Sequence, residues 1–221
     1  MRKTGPLINK WFALSIVCGT LAISGVAFSA FQQESSSSRL SVLLGIGPKN
    51  FGVVDEGELY RSGQIQSRFI RNVLVERQIA HVVNLGVDKE KTDQIAERKT
   101  CSDLNISRQT FFLNGDGTGP VQSYIDAIES ITKARRAGKP VLVHCSAGAQ
   151  RTSGVVAVYQ ILVEGQDVND AVAHALEYHS PDDNPALFAY LNTNIATIAQ
   201  GLVDRGVIER LPATLPVFKA N

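Results

Sequence analysis

The stretch VLVHCSAGAQRT, residues 141–152, decides how this sequence is interpreted. Its first four residues are typical of a buried strand, and they lead directly into Cys145. Small residues follow as far as Arg151, where a second apolar segment begins with a spacing that favours a helix. The stretch therefore predicts a strand, a tight loop and a helix, with the cysteine at the end of the strand.

The composition indicates an ordinary globular protein and excludes several classes of function. The chain has 221 residues, 44% hydrophobic content, 19% charged content and a formal net charge of +1. This charge gives no indication of nucleic acid as a partner. The three cysteines, Cys18, Cys101 and Cys145, are too few and too scattered for a disulfide framework or a zinc cluster. We expect no metal and no cofactor, and we expect a monomer.

The N-terminal residues 1–31 form a segment of their own. Residues 11–31 carry no charge and follow Arg2, Lys3 and Lys10. As a helix of about 1.5 Å per residue they would extend roughly 31 Å, enough for the hydrocarbon core of a bilayer. The basic flank favours export of the chain on the C-terminal side of this segment. Two interpretations remain open, a membrane anchor with the domain on the extracytoplasmic side, or a cleaved signal of a secreted or periplasmic protein.

Residues 32–47 begin with the polar run QQESSSSR and predict a flexible linker. A folded domain follows over 48–203, and a C-terminal tail over 204–221. We predict strands and helices in alternation, with strands at 50–63 (two, around a turn at Asp55–Gly57), 80–86, 107–114 and 140–145, and helices at 67–78, 88–102, 121–139, from about 151, 167–179 and 183–202. This order predicts an α/β fold with a central, mostly parallel sheet flanked by helices.

In such a sheet, ligands bind beyond the carboxyl ends of the strands, which is where Cys145 lies. The loop that follows is small enough to turn its backbone N–H groups into one concavity, and the next helix adds positive charge from its N-terminus. Such surroundings stabilise a thiolate. Arg151 offers two donors to a tetrahedral anion, and Thr152 adds a hydroxyl. These features indicate phosphoryl transfer through the sulfur, with phosphate bound by Ser146, Ala147, Gly148, Ala149, Gln150 and Arg151.

Cys145, Arg151 and Thr152 match the pattern C-x5-R-[S/T], and His144 precedes the cysteine. The pattern resembles the cysteine-dependent protein tyrosine phosphatase superfamily. GVVDEGELYRSGQ (52–64), IAHVVNLG (79–86) and LNGDGTGP (113–120) resemble its compact dual-specificity branch. The resemblance covers roughly residues 50–180 and implies a phosphatase that forms a cysteinyl-phosphate intermediate. One departure is Ser153, where glycine is common, and we expect it to alter packing more than chemistry.

Hydrolysis of a phosphoester also requires an acid that protonates the leaving oxygen. Asp116 lies 29 residues before Cys145, in the loop GDGTGP (115–120) that resembles the movable acid loop of this family. Gly115, Gly117 and Gly119 are expected to let that loop open and close. The alternative is that Asp116 only organises a glycine-rich turn. Asp126, on a helix, is a weaker candidate for the acid.

Other polar residues have less specific interpretations. His144 is expected to fix the loop rather than donate a proton. Arg61, in LYRSGQ, either supports the active-site loop, contacts substrate or forms a structural salt bridge. Cys101 is expected to be a small buried residue, although a protective disulfide with Cys145 is an alternative. The remaining histidines show no metal-ligand spacing, and they are His81, His174 and His179.

The substrate is less well defined by the sequence. Residues 146–150 carry no charge, which favours phosphotyrosine or a small phosphomonoester over a multiply phosphorylated substrate, unless other loops supply basic residues. An inositol-phosphate phosphatase of the same fold and a non-catalytic phosphate-binding module are the alternatives. Sulfurtransferases and arsenate reductases use a similar loop but need no acid loop.

Overall fold

The computed structural model describes residues 48–178 and 185–219, which belong to one compact unit. Five strands form one sheet in the order β1-β2-β5-β3-β4. β1 pairs antiparallel with β2, and every other pair is parallel, so the predicted mostly parallel sheet is confirmed. The strands are β1 Gly52–Asp55, β2 Leu59–Ser62, β3 His81–Asn84, β4 Ser107–Thr110 and β5 Val141–His144.

Six helices in the described residues cover the sheet, and their positions follow the predicted order. They are α1 Ser67–Glu76, α2 Thr92–Asp103, α3 Val121–Arg136, α4 Gln150–Leu162, α5 Val168–Glu177 and α6 Pro185–Asp204. The clearest difference is at α2, which starts four residues later than predicted. Residues 87–91 form a loop instead, since Gln94 Oε1 accepts from the Lys89 N–H at 2.8 Å and Arg98 donates to the Lys89 carbonyl at 3.3 Å.

Side chains that alternate along the central strands build two separate cores, one on each face of the sheet. Val141 and Val143 of β5 pack with α3, α4 and α6, whereas Leu142 faces the opposite way and packs with α1 and α2. All three are fully buried. This period of two is the reason that a short apolar strand can supply both cores. The end of β5 is therefore held firmly between two packed layers.

The predicted C-terminal tail contributes to the larger core. Phe218 is 2% exposed and packs in the cluster that contains the α6 residues Leu191 and Ile195. Asn192 fixes it in place, because its side-chain amide accepts from the Phe218 N–H at 2.8 Å and donates to the Phe218 carbonyl at 2.9 Å. Residues 204–219 are thus anchored to the domain, although most of them lie outside regular structure.

The predicted N-terminal apolar helix and the linker, residues 1–31 and 32–47, lie outside the described residues. Within residues 48–178 and 185–219, no helix is both long enough and apolar enough to cross a bilayer.

Candidate active site

Cys145 follows directly after β5, the central strand of the sheet, and is 2% exposed. β2 and β3 flank β5, so the loop that leaves it contacts residues at the ends of both neighbouring strands. Its short course from Cys145 to Gln150, where α4 begins, agrees with the predicted strand, loop and helix. We refer to residues 145–151, which the sequence predicts to bind phosphate, as the phosphate loop.

The carbonyl groups of the phosphate loop point away from its centre. Ser146 O accepts from the Gln64 N–H at 3.1 Å, and Ala147 O accepts from Asn50 Nδ2 at 2.9 Å. Gly148 O accepts from Arg61 Nη2 at 2.8 Å, and Ala149 O accepts from the Ser153 N–H within α4. In a planar trans peptide each carbonyl points opposite to the next N–H. The N–H groups of residues 147–150 therefore face the interior of the loop, where they form an anion-binding concavity.

Gly148 makes this loop geometry possible. Its φ is +73°, a left-handed conformation that side chains disfavour. A Cβ at this position would lie 2.4 Å from the Gly63 nitrogen and 2.6 Å from the Ser62 carbonyl carbon. The loop thus rests directly on the backbone at the end of β2, with no room for a side chain.

The thiol of Cys145 is acidified by this environment. Burial alone raises its pKa, but the Thr152 hydroxyl, the Arg151 guanidinium and the N–H groups of Thr152 and Gly148 outweigh burial, and the net effect lowers the pKa. The Gly148 N–H donates to Cys145 Sγ at 3.2 Å. Cys145, Arg151 and Thr152 are brought together as the sequence suggested. A thiolate at the base of a ring of N–H groups is the arrangement that nucleophilic attack requires.

Arg151 lies at the rim of the phosphate loop. Its Nη1 donates to the Leu85 carbonyl, just beyond β3, at 3.0 Å. Together with Ser146, the arginine lines a cavity of about 190 Å³, and Lys89 and Lys91 from the loop before α2 line the same cavity. A second cavity of similar volume lies at the other end of β5, where it is lined by Glu58 and Arg135 and by none of the residues just named.

Arg61 supports the phosphate loop from behind. It is fully buried, and its Nη2 donates to the Gly148 carbonyl at 2.8 Å and to Ser153 Oγ at 2.7 Å. Its guanidinium also lies 4.0 Å from the centre of the Tyr178 ring. No carboxylate within the described part of the chain forms a salt bridge with it. The hydroxyl of Ser153, the residue that departs from the family pattern, thus accepts a hydrogen bond from Arg61.

The loop that carries Asp116 lies against the start of α4. A Cβ on Gly117 would lie 2.9 Å from Leu187 Cδ1 and 3.3 Å from the Gln150 carbonyl oxygen. Two tyrosines hold the loop there, since the Tyr124 hydroxyl donates to the Gly117 carbonyl at 2.7 Å and the Tyr190 hydroxyl donates to the Gly119 carbonyl at 2.9 Å. The predicted acid is therefore carried on a loop that borders the phosphate loop.

Within that loop, the Asp116 carboxylate organises the turn. Its Oδ1 accepts from the Thr118 N–H at 3.0 Å and from the Thr118 hydroxyl at 2.8 Å. These hydrogen bonds lower the pKa of Asp116. Gly117 and Gly119 both have positive φ, at 90° and 152°, so two of the three glycines serve the turn itself. The turn-organising role left open by the sequence is observed, and the acid role stays a prediction.

Three supporting residues were not identified from the sequence: Asn50, Gln64 and Glu97. Asn50 and Gln64 hold carbonyls of the phosphate loop. Glu97 is a fully buried carboxylate of α2 whose Oε1 lies 3.2 Å from His144 Nε2. A signal for Glu97 was present, because it shares a helix face with Cys101, four residues away, and these are the two buried residues of α2.

Cys101, His81 and His174 have neighbours other than Cys145, and His179 lies outside the described residues. Cys101 is a free, buried thiol in the core on the α1 and α2 face, whereas Cys145 belongs to the opposite core. His81 lies between the hydroxyls of Ser107 and Ser130 at 2.5 and 2.7 Å. Burial lowers the pKa of His174 to about 4. His179 falls in the undescribed segment, and Asp126 pairs with Arg205 at 2.6 Å.

Comparison with known families identifies the class of protein. The family described as "Dual specificity phosphatase, catalytic domain" matches residues 63–188, more than half of the chain. No curated protein sequence matches significantly. The chain therefore belongs to the dual specificity phosphatase catalytic domain family, and its class of reaction is phosphoric monoester hydrolysis.

Solved structures show the same fold at low sequence identity. TpbA of P. aeruginosa superimposes with a TM-score of 0.57 at 21% identity, over 70% of this chain and 91% of that protein. PTPMT1 gives a TM-score of 0.58 at 16% identity, over 70% and 99%. The core catalytic domain of the PP-IP phosphatase SIW14 from S. cerevisiae gives 0.56 at 17% identity, over 76% and 99%.

Proposed function

We propose that the protein hydrolyses phosphomonoesters in two steps through Cys145. In the first step the thiolate attacks phosphorus, an S–P bond forms and the bond to the ester oxygen breaks. Asp116 protonates the departing oxygen, so the alcohol or phenol leaves neutral. Arg151 and the inward N–H groups of the phosphate loop bind the non-bridging oxygens, where negative charge is held throughout the transfer.

In the second step water replaces the sulfur. Asp116, now a carboxylate, accepts a proton from water as the water oxygen attacks phosphorus, and the S–P bond breaks. The products are inorganic phosphate and the regenerated Cys145 thiolate. The Thr152 hydroxyl stabilises that thiolate as it leaves.

The single observation that carries this proposal is the thiol of Cys145 under inward-facing N–H groups, with a lowered pKa. The proposal is tested by hydrolysis of p-nitrophenyl phosphate in the absence of added metal, with vanadate as inhibitor. We expect Cys145→Ser to abolish turnover while it retains phosphate binding. Normal turnover by this variant would overturn the covalent mechanism.

A second pair of variants tests the acid. We expect Asp116→Asn to lower kcat by roughly 100-fold or more with a substrate of poor leaving group, and to change KM little. Asp126→Asn is the matched control, because it removes a carboxylate on α3 that pairs with Arg205 instead. Equal effects of the two substitutions would rule out Asp116 as the acid.

For the substrate, phosphotyrosine in a peptide is the first candidate. The phosphate loop carries no charged residue between Cys145 and Arg151, so it offers a single phosphate-sized anion site. TpbA, which has the same fold, has been solved in complex with pTyr. Hydrolysis of phosphotyrosyl peptides with kcat/KM well above that for phosphoserine and phosphothreonine peptides would support this candidate.

A multiply phosphorylated small molecule is the second candidate, and the reason is the position of Lys89 and Lys91. Both are exposed, both line the cavity beside Arg151, and neither has an ion-pair partner within the described residues. Asp93, the acidic residue of the same cavity, is engaged by the Ser67 N–H at 2.7 Å. Among proteins of the same fold, PTPMT1 has been solved with PI(5)P and SIW14 is described as a PP-IP phosphatase.

The two candidates differ in their dependence on these lysines. If a second phosphate binds here, replacing both lysines with Gln lowers kcat/KM for an inositol polyphosphate on the order of tenfold, and leaves p-nitrophenyl phosphate unchanged. Lys99→Gln is the control, since this lysine is exposed on α2 and pairs with Asp103. A similar kcat/KM for wild type and the double variant with every inositol phosphate would leave phosphotyrosine as the substrate class.

The domain is proposed to work on the extracytoplasmic side of a membrane, anchored or released. The support is the uncharged run 11–31 behind three basic residues. Fractionation of cells that express the full chain tests this location. Activity confined to the cytosolic fraction would contradict it.

A further inference from the structure

Glu97 is a buried carboxylate on which side chains from three other parts of the chain converge. It is 0% exposed on α2. Its Oε2 accepts from Gln64 Nε2 at 2.7 Å, and its Oε1 accepts from Arg108 Nε of β4 at 2.8 Å. The same Oε1 lies 3.2 Å from Nε2 of His144, which is also fully buried and ends β5. The contact with His144 is an ion-pair approach rather than a well-aligned hydrogen bond.

A protonated His144 adds a second positive charge beside Glu97. Arg108, the other cation there, is shared with Asp88, which its other nitrogens contact at 2.7 and 3.2 Å and which also lies 3.9 Å from Arg98. Within the described residues, Arg108 and His144 are the two cationic side chains in contact with Glu97. A buried carboxylate without full compensation is strongly unfavourable. An imidazolium at His144 supplies part of that compensation.

A positive charge on His144 also affects the ionisation of Cys145, because the two residues are adjacent in the chain. Burial lowers the pKa of His144, but Glu97 and the neighbouring Cys145 raise it by more, against a smaller lowering by Arg108. Linkage is reciprocal, so an imidazole whose protonation is favoured by the Cys145 thiolate must in turn favour that thiolate. Cys101, on the same helix as Glu97, has a pKa raised to about 12 and stays a neutral thiol.

We propose that Glu97 is a positioning residue that holds His144, at the end of β5, as an imidazolium and thereby keeps Cys145 ionised. The inference deepens the proposed function, since it concerns the same nucleophile. Its test reads the reactivity of the thiol and not turnover, so either can fail without the other. The groups that face His144 are Glu97 of α2, Arg108 of β4 and the Cys145 sulfur.

The sign of the effect separates this role from the direct field of Glu97. Glu97 is itself an anion, so removal of its charge alone would make the Cys145 thiol more acidic. If Glu97 acts through His144, its removal also neutralises the imidazole of the residue that precedes Cys145, and the thiol becomes less acidic. The two mechanisms therefore shift the ionisation of Cys145 in opposite directions.

The experiment measures the rate at which iodoacetamide alkylates Cys145 as a function of pH, in the full chain, by mass spectrometry of the peptide that contains this residue. We expect Glu97→Gln to move the ionisation midpoint to higher pH and to slow alkylation at pH 5.5 on the order of tenfold. Asp103→Asn, which removes an exposed carboxylate from the same helix, leaves both unchanged. An unchanged or lower midpoint in folded Glu97→Gln protein overturns the proposal.

A double substitution tests whether the effect passes through the histidine. In a His144→Asn background, Glu97→Gln is expected to produce no upward shift of the Cys145 midpoint. With His144 present, Glu97→Asp keeps the negative charge, so the Cys145 ionisation midpoint is expected to stay close to the wild-type value. The same upward shift with and without His144 would overturn the proposal.

A measurement on the unaltered protein keeps the proposal testable if Glu97→Gln does not fold. The chain has four histidines, so their ¹⁵N signals can be resolved and assigned by the loss of one signal pair in His144→Asn. At pH 7 we expect both ring nitrogens of His144 to show the shifts of an imidazolium. A neutral His144 ring at that pH overturns the proposal.

Discussion

Two buried cysteines of this protein have opposite acidities, and their neighbours explain why. Cys101 and Cys145 are each 2% exposed. Burial and the Glu97 charge raise the pKa of Cys101 to about 12. Burial also acts on Cys145, but donors and a guanidinium surround that sulfur and lower its pKa. The chemistry of a cysteine is thus set by the groups that face it and not by its exposure.

Gly148 gives a test of the phosphate loop itself. Gly148→Ala places a Cβ within 2.6 Å of the backbone of Ser62 and Gly63 at the end of β2, so the loop must shift and its N–H groups lose their common direction. We expect vanadate affinity and kcat/KM to fall by roughly 100-fold or more, since oxyanion donors contribute this much. Vanadate titration of the purified variant measures the loss.

Gly138→Ala is the matched control for this substitution. Gly138 has a similar φ of +65° at the end of α3, but a Cβ there meets no atom within 4 Å. It carries the conformational strain of a left-handed residue, about 1 kcal/mol, without the clash. Equal loss of vanadate affinity in both variants would show that backbone strain and not the close approach to β2 is responsible.

The loop that carries Asp116, residues 115–120, is held as a turn between two helices. Tyr124 of α3 and Tyr190 of α6 hold its carbonyls, and their rings lie 5.7 Å apart. The Thr118 hydroxyl and N–H hold the Asp116 carboxylate. To protonate a leaving group, the Asp116 carboxyl must first bind a proton, and the hydrogen bonds from Thr118 oppose this because they favour the carboxylate. The pKa of Asp116 therefore depends on Thr118.

Thr118→Val removes the hydroxyl donor and keeps the size of the side chain. Loss of that hydrogen bond raises the pKa of Asp116, so more of the protonated acid remains as the pH increases. We expect the alkaline limb of the kcat–pH profile, measured with an aryl phosphate of poor leaving group, to move to higher pH. Thr110→Val is the control, because that hydroxyl donates to a different carboxylate, Asp88, at 3.1 Å. A limb that does not move contradicts the assignment of Asp116.

The pair of Glu97 and His144 ties α2 to the central strand, and it makes the stability of the whole domain depend on pH. Burial raises the pKa of Glu97, but His144 and Arg108 lower it to about 2, against 4.5 in the unfolded chain. This stabilisation is present above pH 4.5 and is lost as the pH falls towards 2. The pKa of His144 is raised, so its contribution is present below pH 6.5 and is lost as the pH rises through the folded value.

Stability is therefore expected to be highest between these two limits. Urea unfolding at pH 3, 5.5 and 8 should show the loss on both sides in the wild type, with about 2 kcal/mol of the Glu97 contribution lost between pH 5.5 and pH 3. Glu97→Gln should flatten both limbs, whereas Asp103→Asn should not. A wild-type stability that stays constant from pH 3 to 5.5 contradicts the buried ion pair.

The substrate class also depends on the tertiary structure. Lys89 and Lys91 are 55 to 62 residues away from Ser146 and Arg151 along the chain, yet all four line one cavity. The uncharged phosphate loop favoured a singly phosphorylated substrate, and the two lysines add a reason to test multiply phosphorylated ones. The loop that carries them is fixed by Gln94 and Arg98.

The placement of Cys145 and its loop could be predicted from the sequence because their interactions are local. Cys145, Gly148, Arg151 and Thr152 lie within eight residues, and a strand followed by small residues and a helix has few ways to fold. The mostly parallel sheet followed from the alternation of short apolar runs with helical spacing for the same reason. The supporting contacts could not be predicted, since Asn50 reaches Ala147 across 97 residues and Arg61 reaches Gly148 across 87. Which polar groups meet in the buried layers depends on how the sheet and helices pack, and that is decided only in the folded chain.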